Sequence, residues 1–511
     1  MNTLQNNIIK KLLFFLSGAI SVFAFAPANI WEFIFISAFC WILISNSEDL
    51  KEMIINSYIL GFGYFFANLY WTFICLHEVI KLNVAVSLIL HTLFALFLAT
   101  YILLSSCIYR FFKVKNSEYD IFNYTFLIPT CWVAGEILRG KLFSGFPWYN
   151  LSYVALNVQI FKGFFPVGGE YFVSWLFMAL IGLCFFIFKI VFIETKKDWA
   201  IFYNIVFCIA ILFISGYKLK NIQYTVIEPK KVKIALIQGN NSVTEKWDME
   251  YFNALLNKYA KMVAQAKSAE IIIMPETAIS VFPDRLPAYY LEDLKSLANK
   301  SKIIIGMPLP LDPTGISYSN AAILLNDFTF YTKQHLVPYG EYIPLKSVLG
   351  SLYDNIALPM VNFQADDKHR HSLNVNNAKI AFNLCYENGF GSELLEQSKS
   401  SQIIVNLSDM VWYKNTWAKD HHLQMSIART LENQRYWVQD TNSGITVIIS
   451  PQGEIIASLP ENKQDILFYS VPLVHGLTPY QKAGDLIIYW ILLINLILAL
   501  LLRFFTTNTI P

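Results

Sequence analysis

The chain has 511 residues, of which 55% are hydrophobic, 16% aromatic and only 15% charged, where globular proteins carry roughly a quarter charged residues. Lys and Arg total 39 against 37 Asp and Glu, a net charge of +2, which excludes a disordered chain and a basic nucleic-acid binder. The charges are unevenly spread: 24 fall in 1–217, about 11%, and 52 in the remaining 294 positions, about 18%. The first part reads as membrane and the second as a water-soluble domain.

A bilayer core of about 30 Å takes roughly 20 apolar helical residues. Such runs lie near 12–26, 30–45, 54–76, 84–109, 122–138, 168–193 and 200–217, and an eighth closes the chain at 486–502. The pattern predicts a seven-span domain over 1–217, an inserted soluble domain over 218–484, and a last span with a short tail over 485–511. Both ends of the insertion then meet one membrane surface, and the chain termini share the other. With the N-terminus inside, ten short-loop cations lie inside (Lys10, Lys11, Lys51, Arg110, Lys113, Lys115, Lys189, Lys196, Lys197, Arg503) and four outside (Lys81, Arg139, Lys141, Lys162). This bias predicts cytoplasmic termini and an extracytoplasmic inserted domain, periplasmic in a cell with two membranes. A cleavable signal peptide ending at Ala24-Phe25-Ala26 is the alternative start; Pro27 at the cleavage bond and the apolar run behind it disfavour that reading. Glu136 and Arg139, three apart on one helix face, are expected to pair structurally in preference to meeting a lipid head group.

From Lys231 to Gly484 short β-rich runs alternate with amphipathic stretches. Residues 232–238, 271–274, 302–307, 321–325, 379–385, 403–407 and 445–449 are rich in Ile and Val and bounded by turn residues. Phe252, Leu255, Leu256, Tyr259, Met262 and Val263 recur at helical spacing, as do Leu423, Ile427, Leu431 and Gln434. Sheet covered by helices follows. The connection 340–377 has no clear period but contains Leu345, Val348, Leu349, Leu352, Ile356, Leu358, Met360, Val361 and Phe363. Such a segment is expected to be a flap over a hydrophobic substrate or an insert packed on the core.

Six of the seven cysteines (Cys40, Cys75, Cys107, Cys131, Cys184, Cys208) lie in the apolar part, where a thiol behaves as a small hydrophobe. Cys385 alone belongs to the soluble domain, either as a core residue or as a nucleophile. Glu276, Lys333 and Cys385 each follow a strand-like run, and strand ends of a layered sheet converge at one edge. A thiol near pKa 8.5 needs a base or a cation to activate it. Glu276 is suited to take the proton, and Lys333 to lower the thiol pKa and stabilise an oxyanion.

These segments resemble the carbon–nitrogen hydrolase (nitrilase) superfamily and, more closely, its membrane branch, the apolipoprotein N-acyltransferases. The resemblance spans nearly the whole chain: IALIQGN at 234–240 with Trp247, MPETA at 274–278, KQHLVPYGEYIP at 333–344, LCYENGF at 384–390, ARTLENQR at 428–435, TNSGIT at 441–446, FAPANIW at 25–31 and EILRGKLFSGFPW at 136–148. It implies a four-layer αββα sandwich inserted into about eight membrane spans, and a ping-pong acyl transfer without metal or cofactor. Glu276 matches the family's base, Lys333 its oxyanion lysine and Cys385 its nucleophile. The implied partners are a phospholipid acyl donor, a diacylglyceryl apolipoprotein acceptor and the bilayer itself, with no nucleic acid and a monomeric enzyme, in the bacterial inner membrane. Glu341 and Glu387 match further acidic positions expected to hold Lys333 and shape the pocket. Tyr386 matches an acyl-orienting position, Trp247 a tryptophan at the pocket mouth, and Glu432 an acidic helix position of structural character.

One motif departs. Where the family has Asn-Asp-Ala/Gly-Trp-Phe, this chain has Asp409-Met410-Val411-Trp412-Tyr413, keeping both aromatics, Trp412 and Tyr413, but altering the loop before them. Three rival readings stand beside the acyltransferase. A cysteine–histidine enzyme would need an imidazole at Cys385, yet His369 and His371 sit in a charged run and the adjacent His421 and His422 read as surface residues. A transporter with an inert soluble domain would carry buried charges in its spans. A tethered amidase or nitrile hydrolase would share the same triad.

Overall fold

The computed structural model describes residues 2–194, 198–344, 363–366 and 371–508. It divides into two units, Met1–Ile222 with Lys482–Pro511, and Gln223–Gln481.

In the first unit six helices among the described residues are long and apolar enough to cross a bilayer: Asn6–Ala24, Val84–Phe112, Ser117–Ser144, Gln159–Ile193, Trp199–Lys220 and Leu486–Thr506. Leu50–Asn68 and Tyr70–Val79 form a seventh candidate bent by 53°. The expected span at 30–45 is a 13-residue helix, Phe33–Ser45, which at about 1.5 Å per residue reaches only part of the hydrocarbon thickness. Small residues set the helix spacing. A Cβ on Gly18 would stand 2.1 Å from the Leu60 carbonyl oxygen, and one on Gly63 2.0 Å from that of Phe15, so the first helix and Leu50–Asn68 touch backbone to backbone.

Glu136 and Arg139 are both buried, and each finds its hydrogen bonds away from the other. Glu136 Oε1 accepts from Trp132 Nε1 at 3.0 Å and from the Leu151 amide at 2.8 Å. Arg139 donates to Asn150 Oδ1 at 2.6 Å and lies 5.2 Å from the Phe65 ring centroid. The expected pairing of the two is not seen among the described contacts; each is held by neutral partners instead.

The second unit holds two six-stranded sheets. One has the order β12-β1-β2-β3-β4-β5, with β1 Thr225–Gln238, β2 Ile271–Ile273, β3 Lys302–Pro310, β4 Tyr318–Leu324, β5 Thr329–Thr332 and β12 Asp465–Gly476. The other has the order β11-β10-β9-β8-β7-β6, with β6 Leu373–Val375, β7 Ala378–Leu384, β8 Ile403–Ser408, β9 Tyr436–Thr441, β10 Val447–Ile449 and β11 Ile455–Ser458. Side chains alternate across each strand, and the burial follows that period. Ile234 and Leu236 of β1 pack with Ile273, Ile304, Phe382, Val405 and Val438 between the sheets. Ala235 and Ile237 face outward onto α1 (Phe252–Ala266), whose Leu255, Leu256, Tyr259, Met262 and Val263 cover them, with α2 (Tyr290–Ala298) alongside. On the far side, Ala381, Ile404 and Trp437 meet Leu394 of α3 (Gly391–Ser400) and Leu423 and Ile427 of α4 (Ala418–Asn433). The result is the αββα sandwich, each buried Leu or Ile stabilising it by roughly 1.5–3 kcal/mol.

Each sheet has a parallel centre, β1-β2-β3 in one and β7-β8-β9 in the other. Two antiparallel steps make β5 run with β3, so the carboxyl ends of β2, β5, β7 and β8 can share an edge. Most of the expected flap, 345–362, lies outside the described residues, as do 367–370 of the charged run. Between them Phe363 is buried, its ring 4.7 Å from that of Tyr318.

Candidate active site

Glu276 stands just past β2. The turn that presents it is pinned to β3: the Met274 amide donates to the Ile304 carbonyl at 2.9 Å and the Ala278 amide to that of Gly306 at 2.8 Å. Gly306 is obligatory at this approach, because a Cβ there would lie 2.2 Å from the Pro275 oxygen and 2.7 Å from Glu276 Cα. Both carboxylate oxygens of Glu276 are engaged. Oε1 accepts from Asn320 Nδ2 at 2.7 Å and Lys333 Nζ at 3.2 Å, and Oε2 from the Asp409 amide at 2.9 Å.

Lys333 follows β5 and is 1% exposed. It also donates to Glu341 Oε1 at 2.8 Å, while Glu341 Oε2 accepts from the Val337 amide at 2.8 Å. Glu341 is thus a direct ion-pair partner of Lys333. Glu387 acts differently: it binds the Gln334 and His335 amides at 2.6 and 3.2 Å, the Leu384 amide at 2.7 Å and the Tyr331 hydroxyl at 2.9 Å. It ties the backbone after Lys333 to the end of β7, and touches the lysine only through that backbone.

Cys385 follows β7 at the start of the 3-10 turn Cys385–Gly389. Its φ is +49°, a left-handed conformation that costs an L-residue roughly 1–2 kcal/mol. Glu276 acts on the thiol electrostatically and is bonded to Lys333, so the three sequence-predicted residues belong to one cluster. Burial pushes the Cys385 thiol well above its ordinary range, the Glu276 and Glu341 charges add to this, and Lys333 only partly offsets it. The expected lowering by Lys333 is thus outweighed, and the resting group is the thiol. Burial raises Glu276 as well, against the pull of Lys333 and with Glu341 and Asp409 reinforcing it. For Lys333, burial disfavours the charge, but Glu276 and Glu341 overcome it and hold the ammonium well above its usual pKa.

Of the supporting positions, Tyr386 is buried with its ring 5.3 Å from Phe390 and 5.6 Å from His335. Trp247, at the end of the short helix Val243–Trp247, is half-buried, as is Trp412, whereas Tyr413 is buried. Glu432 lies apart from the triad: it accepts from Arg429 at 2.9 Å, both fully buried, and the pair packs under Gly391, where a Cβ would lie 2.4 Å from Arg429 Nη1.

Sequence reasoning missed two contributors. Asn320 anchors Glu276, and its signal was a lone amide inside an apolar strand. Lys246, next to the tryptophan that drew attention, is 3% exposed, reaches the Glu276 carbonyl at 3.3 Å and is ion-paired to Asp409. Asp409 also accepts from Asn442 Nδ2 at 3.1 Å, so the altered motif retains an ordered loop that delivers its amide to Glu276. His421 and His422 correct an expectation, being 4% and 1% exposed; α4 is covered on more faces than its apolar stripe indicates. His422 reaches the Cys385 carbonyl, not the thiol, which leaves no imidazole base for a cysteine–histidine mechanism among the described contacts. Among the described residues no group of three or more His, Cys, Asp and Glu is arranged to hold a metal ion.

Comparison with known proteins covers both units. Residues 17–183 match the family model of the apolipoprotein N-acyltransferase N-terminal domain, and 233–475 that of carbon-nitrogen hydrolase. The apolipoprotein N-acyltransferase of Chromobacterium violaceum is 31% identical over 475 residues, 92% of this chain and 89% of its own length. That of Neisseria meningitidis serogroup B is 32% identical over 461 residues, 88% of each chain. The Pasteurella multocida protein of the same name is 28% identical over 514 residues, covering 98% and 96%. The chain therefore belongs to the apolipoprotein N-acyltransferase family, a group of multi-pass bacterial membrane acyltransferases.

Proposed function

We propose that Cys385 carries the acyl group as a thioester between a phospholipid and the α-amine of an S-diacylglyceryl cysteine at the start of an apolipoprotein. The observation that carries this reading is a Glu276 carboxylate bonded to the buried Lys333 ammonium and electrostatically coupled to the buried Cys385 thiol. As Sγ attacks the sn-1 ester carbonyl, Glu276 takes its proton, and Lys333 stabilises the oxyanion. Collapse expels the lysophospholipid alkoxide, which takes the proton from Glu276 and leaves the thioester. The neutral amine of the acceptor then attacks the thioester carbonyl, Glu276 accepts a proton from nitrogen, and Sγ leaves and is reprotonated. An amide has formed and the thiol is restored.

A resting thiol suits this sequence, since proton transfer to Glu276 accompanies attack, and the buried lysine acts where charge develops. Glu341 keeps Lys333 charged and aimed, and Glu387 fixes the backbone on which both Lys333 and Cys385 sit. Tyr386, Trp247, Trp412 and Tyr413 shape the approach of lipid chains. The enzyme works as a monomer in the inner membrane, with catalytic unit periplasmic and termini cytoplasmic; the Lys and Arg distribution supports this orientation. Steady-state transfer from phospholipid to a diacylglyceryl peptide tests the two-step scheme. Parallel double-reciprocal lines as the two substrates are varied are expected; intersecting lines, signifying a ternary complex, would remove it.

A further inference from the structure

The ladder between β7 and β8 ends at Leu384, so the carbonyl of Cys385 lies beyond the sheet in a buried place, where an unpartnered backbone oxygen is costly. It faces His422 Nε2 at 3.2 Å. Because a carbonyl only accepts, Nε2 carries the proton and Nδ1 of the neutral ring is the acceptor. Asn388 Nδ2 stands 3.3 Å from that Nδ1, but its two hydrogens go to the His422 carbonyl at 2.9 Å and to Ser426 Oγ at 2.8 Å. Ser426 in turn donates to Gln439 Oε1 of β9 at 2.6 Å. The tautomer with the proton on Nε2 is the one that serves the Cys385 carbonyl, and burial, which lowers the His422 pKa to about 4, favours the neutral ring.

We propose that His422 is a positioning residue for acyl transfer, its Nε2–H holding the Cys385 carbonyl so that the left-handed backbone aims the thiol at Glu276. The proposal rests on Cys385 being the acyl carrier. The physical logic is that a residue at positive φ persists only where its surroundings over-determine it. The Cys385–Tyr386 peptide is planar, so fixing its oxygen fixes the whole unit on which the nucleophile turns. A residue that only packed would not need a ring N–H aimed at a buried backbone carbonyl.

The test compares the full-length wild type, His422→Phe and His422→Gln in phospholipid micelles, reading the single-turnover rate of Cys385 acylation by intact mass, the KM for phospholipid and thermal stability. Phe fills the ring's volume without a donor, and Gln restores an N–H near the Nε2 position. A fall of about 10–100-fold in the acylation rate is expected for Phe, the scale of a misplaced reacting group, with KM within about twofold. Gln is expected to recover most of the rate with a pH profile shaped like the wild type's. A wild-type rate in the Phe variant would overturn the proposal. So would a loss that follows melting temperature and is not recovered by Gln. Disappearance in the Gln variant of a limb near the ordinary imidazole pKa of about 6.5 would also overturn it, since the ring would then be exchanging protons. Whether Cys385 is acylated at all is read separately, from the wild type beside Cys385→Ala, so the two claims fail in different ways.

Discussion

Each unit holds a buried charge cluster, and the two clusters are built in opposite styles. In the membrane unit Glu136 and Arg139 are wrapped by neutral partners, a Trp, an Asn, a backbone amide and a Phe face. In the catalytic unit Glu276, Lys333 and Glu341 meet ion to ion, within 3.2 Å and 2.8 Å, beside a thiol. Wrapping spends the hydrogen-bonding capacity of a charge on holding helices. Direct apposition leaves ions poised, since a proton leaving the thiol or a charge forming on a bound carbonyl changes the balance within the cluster. The first arrangement fixes shape, the second performs chemistry, although both satisfy the requirement that buried ions have partners.

The largest separation of the two should come from Glu276→Gln. It keeps the side chain's shape but removes the base, and acylation is expected to drop by about 10²–10⁴-fold while the melting temperature changes little; an active Gln variant would break the assignment. Next is Gly306→Ala, which intrudes on the Pro275–Glu276 turn. A shift of the carboxylate should cost on the order of 10²-fold in rate, measured as single-turnover acylation, and a near-native rate would show that the turn can yield. Arg139→Leu is expected to act on the other unit's terms: a loss of about 3–5 kcal/mol for breaking a buried charge arrangement, seen as a lower melting temperature in detergent, with the alkylation rate of Cys385 in the surviving folded enzyme unchanged. Selective loss of thiol reactivity without destabilisation would erase the contrast.

The smallest effect is a shift of pH dependence. Glu276 must be ionised to act as base and its pKa is raised by burial and by Glu341, so the acid limb of the acylation rate should lie above the ordinary carboxylate range. Glu341→Gln removes a negative neighbour and leaves Lys333 to Glu276 alone. Both changes favour the ionised carboxylate, so the limb should move to lower pH; movement to higher pH would contradict the cluster's electrostatics.

The layers and the triad were legible because they follow from period and position. Alternating Ile234, Ala235, Leu236 and Ile237 announce a strand buried on both faces, and Glu276, Lys333 and Cys385 each follow such a run. Strands that break the pattern were not legible. β9 carries Gln439, Asp440 and Thr441 inside the fold, and β12 is half-exposed along the edge of its sheet. Supporting residues were hardest where polarity was taken for exposure: Lys246 and His422 look like surface residues in a row of letters, and only the fold shows them enclosed. The 13-residue helix Phe33–Ser45 is shorter than the apolar run at 30–45, since Ile30 and Trp31 before it are apolar without being helical. The roles of Trp247 and Trp412 were inferred from a motif, and their half-buried positions are the most the fold adds to them.

The central claim is that Cys385 is the acyl carrier, and the most direct test is intact-mass spectrometry of the protein purified with phospholipid, wild type beside Cys385→Ala. The account predicts an added mass equal to one acyl chain on the wild type, removed by hydroxylamine and by a diacylglyceryl peptide acceptor, and none on the variant. An unmodified wild type under conditions that preserve thioesters, or an adduct that persists in Cys385→Ala, would contradict it.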